Sequence, residues 1–323
     1  MTFEELYNRL LKSGVNGTFT KELDLVHQQG YDPHHLSCLL HPEKHPVVIR
    51  TDACLCQGEQ MEKCRARCYF DALFVENGSV EIDPAACVGC GDCVRGCDAK
   101  KLTESRDVLP ALNALRNTDA PVYAMIAPAF INQYSEAVTP GKLRAAFKKI
   151  GFAGMLEVAL FADILTLKEA LEFDHNIQTE KDYQLTSCCC PMWIGMIRKV
   201  YAQLIPHVPA AVSPMVACGR SIKKIHPNAV TVFIGPCVAK KAEAREADIS
   251  DSTDFVLTFQ EIQDVFDYAG INLAEMEEDE RDHSSKAGRI YAGAGGVSEA
   301  VRATVERINP NKQISVKTRH ADG

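Results

Sequence analysis

Apolar positions in the first thirty residues recur at helical spacing and predict two amphipathic helices, Phe3 to Lys12 and Lys21 to Gln29, punctuated by Gly14, Gly17 and Gly30. Residues 51 to 102 lose that rhythm. Their apolar side chains follow no regular period, as expected of a segment held together by something other than a core. From Ser105 onward short apolar runs alternate with helical stretches. Val122 to Ile126, Gln184 to Thr186, Val230 to Ile234, Phe255 to Leu257 and Ile314 to Val316 read as strands. Gly141 to Ile150, Ala162 to Phe173, Met192 to Leu204, Ser213 to Ile225 and Phe259 to Tyr268 read as helices. This alternation predicts an α/β fold with a largely parallel sheet. The expected organisation is a helical segment over 1–50, a cysteine-rich domain over 51–104 and an α/β domain over 105–323. Ala127-Pro128, Cys188 to Cys190 and Gly235-Pro236-Cys237 each follow a strand. Ligands in open α/β sheets sit outside the carboxyl ends of strands, so the three segments are expected to converge on one site.

Composition narrows the function classes. With 46% hydrophobic and 24% charged residues, the 323-residue chain has an ordinary globular make-up. A net charge of −8 with no basic stripe argues against nucleic acid as a partner. No run reaches the roughly 20 apolar residues that cross a bilayer, and Met1 to Glu5 lacks the layout of a signal peptide. The expectation is a cytosolic protein with no membrane partner. In such a reducing compartment the fourteen cysteines are expected to be mostly ligands rather than disulfides. The acidic run Glu275 to Asp282 reads as a solvated loop.

Eight of the cysteines fall in two sets of four. Cys87-x2-Cys90-x2-Cys93-x3-Cys97 has the bacterial ferredoxin spacing, and Cys54-x-Cys56-x7-Cys64-x3-Cys68 is an irregular companion. Two such sets fit a two-cluster ferredoxin better than a pair of zinc knuckles. The crossover rule assigns Cys54, Cys56, Cys64 and Cys97 to one [4Fe–4S] cube and Cys87, Cys90, Cys93 and Cys68 to the other. The proline usual after each set is replaced by Tyr69 and Asp98. Arg65, Arg67 and Arg95 beside the ligands would favour the reduced, more negative cluster. Cys38, near His34, His35 and His41, suggests a Cys/His site. No second cysteine pair completes a zinc pattern, so a buried thiol beside surface histidines is expected there, and Cys218 reads as a core thiol.

Thr186-Ser187-Cys188-Cys189-Cys190-Pro191-Met192-Trp193 and Gly235-Pro236-Cys237-Val238-Ala239-Lys240-Lys241-Ala242-Glu243 resemble the first two signature motifs of [FeFe] hydrogenases. The likeness runs from Ala127-Pro128 through Ala294-Gly295-Gly296-Val297 and is closest to the branch whose second motif begins with Gly. It implies an anaerobic oxidoreductase for 2H⁺ + 2e⁻ ⇌ H₂. It also implies an H-cluster, a [4Fe–4S] cube joined to a di-iron subcluster, together with a soluble electron carrier such as ferredoxin and maturation proteins for the di-iron site.

Anchored on Pro191, the resemblance makes Cys190 and Cys237 cubane ligands, Cys189 the proton donor and Cys188 surplus. Lys240 would offer its ammonium to a cyanide of the di-iron site, and Glu169 and Glu172 match the family's relay carboxylates. A free thiol is a plausible general acid, whereas a metal-bound thiolate has no proton to give.

Departures accompany the match. A relay serine falls on Pro209, a methionine beside the di-iron site on Gly235, and a cyanide-bonding serine on Ala129. The third motif, which brings two further cysteines, does not occur, since no cysteine follows Cys237. The chain is therefore expected to be a truncated form that does not hold a complete H-cluster alone. The alternative expectation is a non-catalytic iron–sulfur electron carrier, or a redox or H₂ sensor on the same fold.

Overall fold

The computed structural model describes residues 1–54, 56–179, 181–186, 189–279, 286–293, 295–311 and 315. The amino-terminal segment forms helices α1 (Phe3–Asn16), α2 (Phe19–Gln28) and α3 (Pro33–Leu40). Thr2 and Glu5 make a reciprocal capping box that starts α1, and Gly17 ends it at φ +75°, a left-handed turn that costs a glycine nothing. Its apolar stripe, Phe3, Leu6, Tyr7, Leu10 and Leu11, is buried in one continuous core with the α/β part of the chain. Arg106 lies 3.9 Å over the Tyr7 ring and pairs with Glu4, which adds a cation–π contact to that packing.

The cysteine-rich segment is small and irregular. Strand β1 (Val48–Arg50) pairs antiparallel with β4 (Leu102–Glu104), and β2 (Leu73–Glu76) pairs antiparallel with β3 (Ser79–Ile82). The short helices α4 (Glu59–Ala66) and α5 (Asp92–Arg95) lie between these strands in sequence. Val48, Leu73, Val80, Ile82, Leu102 and Cys93 are its buried apolar residues, and the other cysteines pack around them. So few apolar contacts would not fold this segment alone.

The α/β part begins with α6 (Val108–Asn117) and β5 (Val122–Ile126), then α7 (Pro140–Lys149), β6 (Gly154–Glu157) and α8 (Val158–Asn176). It continues with α9 (Pro191–Lys199), α10 (Pro214–Ile225), β7 (Val230–Gly235), α11 (Ala239–Ala244), β8 (Phe255–Thr258) and α12 (Phe259–Tyr268), and closes with α13 (Lys286–Arg289) and α14 (Gly296–Ile308). The sheet is parallel throughout, in the order β6-β5-β7-β8. Ala124, Met125, Ile126, Val232 and Ile234 are fully buried, which is why the central strands read as unbroken apolar runs. The chain moves from β5 outward to β6 and then returns to add β7 on β5's other side. A topological switch point thus lies between the carboxyl ends of β5 and β7.

The expected strand at Gln184 to Thr186 is not in the sheet. Leu185 instead gives its N–H to the carbonyl of His207, in the 3-10 turn Ala202–His207, at 2.7 Å. The missing sheet position is filled by β6, four residues whose pattern runs without a break into α8 and hides the strand. The helix expected over Met192 to Leu204 stops at Lys199, where the 3-10 turn takes over. Ile314 and Val316 of the last expected strand lie outside the described residues, as does Cys188.

Candidate metal centre

The end of β5 delivers Ala127-Pro128 and the end of β7 delivers Pro236-Cys237 to the switch point, as the pattern predicts. The strand ends approach so closely that a Cβ on Gly235 would stand 2.8 Å from the Phe233 ring and 2.9 Å from the Ala127 methyl. A methionine at position 235 has no room; the Phe233 ring takes that side of the cavity. Cys190 is the N-cap of α9, with Pro191 at the first helical position, so the connection before α9, rather than a strand, brings in Cys189 and Cys190.

Cys189, Cys237 and Lys240 line one cavity of about 220 Å³ whose other walls are apolar: Ala127, Pro128, Ala129, Val158, Pro214, Met215, Phe233, Pro236, Tyr291 and Ala292. Burial pushes the Cys237 thiol up. The backbone N–H groups of Ala239 and Lys240 and the Lys240 charge oppose that rise, and Cys190 lies close enough to add to it. These two N–H groups at the start of α11 offset part of that rise, as hydrogen bonds to a ligating sulfur do. Lys240 itself is held by Glu243 at 2.5 Å, with both side chains at most 10% exposed. Glu169 is fully buried on α8, while Glu172 is half-buried and accepts the Ala210 N–H at 3.2 Å. Pro209, next to Ala210, is buried and offers no hydroxyl. A backbone amide, which cannot relay a proton, takes the bond.

The two interleaved cysteine sets are also brought together. Cys54, Cys56, Cys64 and Cys97 line a cavity of about 430 Å³ with Arg50, Lys63, Arg67 and Lys101. The Cys54 thiol, by hydrogen bonding, pushes Cys56 up, and burial followed by Cys97 and Cys54 pushes Cys64 up. Cys93 is pushed up to about 12, by burial first and then by Cys87, Cys90 and Cys68. Burial also raises Cys87, against the N–H groups of Gly89 and Val48. Cys64 also acts on Cys93, so the two sets adjoin each other, and free thiols crowded in this way suit iron–sulfur ligation. The loop carrying Cys87 and Cys90 abuts the α/β site: a Cβ on Gly89, at φ +70°, would stand 3.1 Å from Ala239 Cα and 2.9 Å from Val47.

Several groups here carry no local sequence signal. Glu157, at the end of β6, is buried and receives both Arg289 nitrogens at 2.8 and 2.9 Å, with Arg144 3.8 Å away. This bidentate pair fixes α13, the element before the cavity-lining Tyr291 and Ala292. The Tyr291 and Thr166 hydroxyls are 2.9 Å apart, in reach of the cluster that packs Cys189. Lys241, 1% exposed, bonds Glu261 at 2.9 Å and the Ser105 carbonyl at 2.6 Å.

A parallel α/β domain with thiols and an ammonium gathered at its switch point, beside a segment of interleaved cysteines, defines the class: a thiol-rich candidate metal centre on an α/β scaffold. The model of the "Iron only hydrogenase large subunit, C-terminal domain" family matches residues 120–322, and the chain belongs to the [FeFe] hydrogenase family.

Among its relatives are iron hydrogenase 1 of Clostridium pasteurianum, 27% identical across 66% of this chain and 41% of the relative, and the periplasmic [Fe] hydrogenase large subunit of Nitratidesulfovibrio vulgaris, 30% identical across 73% and 70%. The cytosolic iron–sulfur assembly component 3 of Bos taurus is 26% identical across 63% and 49%. A solved variant of the [FeFe]-hydrogenase HydA1 from Chlamydomonas reinhardtii has a TM-score of 0.53 at 29% identity, covering 68% of this chain and 62% of that one. The chain thus spans less than half of the Clostridium relative. Among the described residues, no helix is long and apolar enough to cross a membrane.

Proposed function

We propose that this chain is the cluster-binding part of an [FeFe] hydrogenase, an enzyme of 2H⁺ + 2e⁻ ⇌ H₂ whose complete H-cluster also needs the two cysteines of the third motif, which this sequence does not carry. The observation that carries this reading is the convergence of Cys189, Cys237 and Lys240 on one apolar cavity at the switch point. The residues present fit the group the family implies in part: they supply two of the cysteine ligands expected around the cube, and the two of the third motif are not in this sequence. Cys190 and Cys237 would hold the cube through their sulfurs, and the N–H groups of Ala239 and Lys240 stabilise the Cys237 thiolate. Residues 51–104 form the two-cluster ferredoxin-like module, holding its cubes by the interleaved cysteine sets. When bound, the H-cluster supplies the redox centre at which two protons and two electrons combine.

Cys189 holds a transferable proton at its sulfur, facing the cavity between mostly apolar walls. Lys240, paired here with Glu243, would offer its ammonium to an anionic ligand of the group in the cavity it lines. Protons reach Cys189 through α8. Glu169 and the Thr166–Tyr291 hydroxyl pair share that stretch, while the link between Glu169 and Glu172 is interrupted at Pro209. Electrons arrive from a soluble carrier such as ferredoxin, and they leave the module through the Cys87–Cys93 loop, seated against Val238–Ala239. Maturation proteins install the di-iron site, in the cytosol.

A second reading, a non-catalytic iron–sulfur protein on the same fold, is favoured by the likeness to an iron–sulfur assembly component and by the Lys240–Glu243 pair. Infrared spectra of the protein in a form that carries the third motif, co-expressed with the maturation machinery, separate the two. Metal-bound CO and cyanide bands support the hydrogenase, and an iron-replete sample without them supports the second reading.

A further inference from the structure

Helix α3 opens at Asp32, whose carboxylate accepts the His34 N–H at 2.8 Å, with Pro33 at the first helical position. His34 and Cys38, four residues apart, share one face of the helix. The chain then turns through Pro42–Lys44 and returns His45 to the same spot. One ring nitrogen of each histidine and the Cys38 sulfur all lie within 4.8 Å of one another, and Cys38 Sγ is 3.6 Å from His34 Nε2. A tetrahedral zinc with Zn–S of about 2.3 Å and Zn–N of about 2.0 Å has an S···N edge of about 3.5 Å. Ser37 Oγ, 2.8 Å from His45 Nε2, fixes that ring's rotation as an outer partner of a ligating histidine does. Cys38 is buried and His34 exposed, so the cluster has one side open to solvent.

We propose that His34, Cys38 and His45 form a mononuclear zinc site, with a solvent molecule as fourth ligand. One thiolate and two imidazoles make a borderline-soft set suited to Zn²⁺. On binding, the Cys38 S–H bond breaks, its proton passes to solvent, and the sulfur bonds the metal while both imidazoles bind neutral. The site lies outside residues 120–322 and shares no residue with the iron-binding sets. It closes a junction: the His45 carbonyl accepts Arg245 at 3.0 Å, and Val47, two residues on, is the side chain against which Gly89 packs. Zinc here would pin α3 to the strand that enters the cysteine-rich segment.

The test is zinc K-edge absorption of the iron–sulfur-loaded full chain given one equivalent of zinc chloride, an edge the iron does not disturb. The site predicts about one zinc per chain with a single sulfur at about 2.3 Å and nitrogen or oxygen neighbours at about 2.0–2.1 Å. Cys38→Ser removes the sulfur neighbour. His34→Ala, at an exposed position that leaves the fold intact, weakens zinc binding at least tenfold with iron content unchanged. Three or four sulfurs around zinc, unaltered affinity in His34→Ala, or no zinc retained against a weak chelator would each overturn the proposal.

Discussion

Cys189 and Cys237 stand at one cavity in different surroundings, which the proposed division of work uses: Cys237 has backbone N–H donors and a lysine at its sulfur, whereas Cys189 packs against Ala162, Tyr291, Val297 and Ala300. Cys189→Ala should therefore leave cluster iron in place and lower hydrogen turnover about 10²- to 10⁴-fold, the usual worth of a positioned acid. Iron analysis beside a hydrogen assay checks this, and comparable turnover in the variant would move the proton donor elsewhere. The cysteine motifs were legible because cluster ligands sit at short fixed spacings. Glu157 and Arg289 were not, since 132 residues separate them and only the return of α13 to the end of β6 brings them together.

At the scale of elements, α11 is tied on both sides. Its Lys240 faces the cavity and its Lys241 points the other way, into a buried network of Glu261, Ser105, Asp107 and Arg245. Glu261 also closes the capping box of α12 and accepts the Asp107 N–H. Lys241→Met strands the Glu261 carboxylate in the interior, and breaking such a pair costs about 3–5 kcal/mol, measurable by denaturant unfolding. A loss near zero would show that the network relaxes to solvent. On α10, a Cβ on Gly219 would stand 1.9 Å from the Ser252 carbonyl oxygen, so Gly219→Ala must push the helix off that loop and lower thermal stability. Helices with strong apolar stripes, such as α10 and α12, were legible in the sequence. β6 was not, because a four-residue strand is recognised by its partner β5 rather than by its own pattern.

At the scale of the whole molecule, the cysteine-rich segment is docked rather than tethered. Gly89 meets Val47 and Ala239, Gly195 of α9 faces Val88, and Lys199 bonds the carbonyls of Ala85 and Ala86 at 2.9 Å. Gly89→Val, strained at φ +70° and with no room for a side chain, should loosen that seat and slow carrier-driven reduction of the cavity site. Stopped-flow reduction reads this out, and an unchanged rate would place the electron route elsewhere. The parallel sheet and the convergence at two strand ends were legible from the sequence, but the docking surface depends on side chains from distant segments meeting. The central claim is that the thiols at the switch point serve hydrogen chemistry. Its most direct test is hydrogen evolution from a reduced dye by the iron-replete protein in a form that carries the third motif, matured with its assembly proteins, beside Cys237→Ala. The account predicts turnover in the first and none in the second; no turnover in either would contradict it.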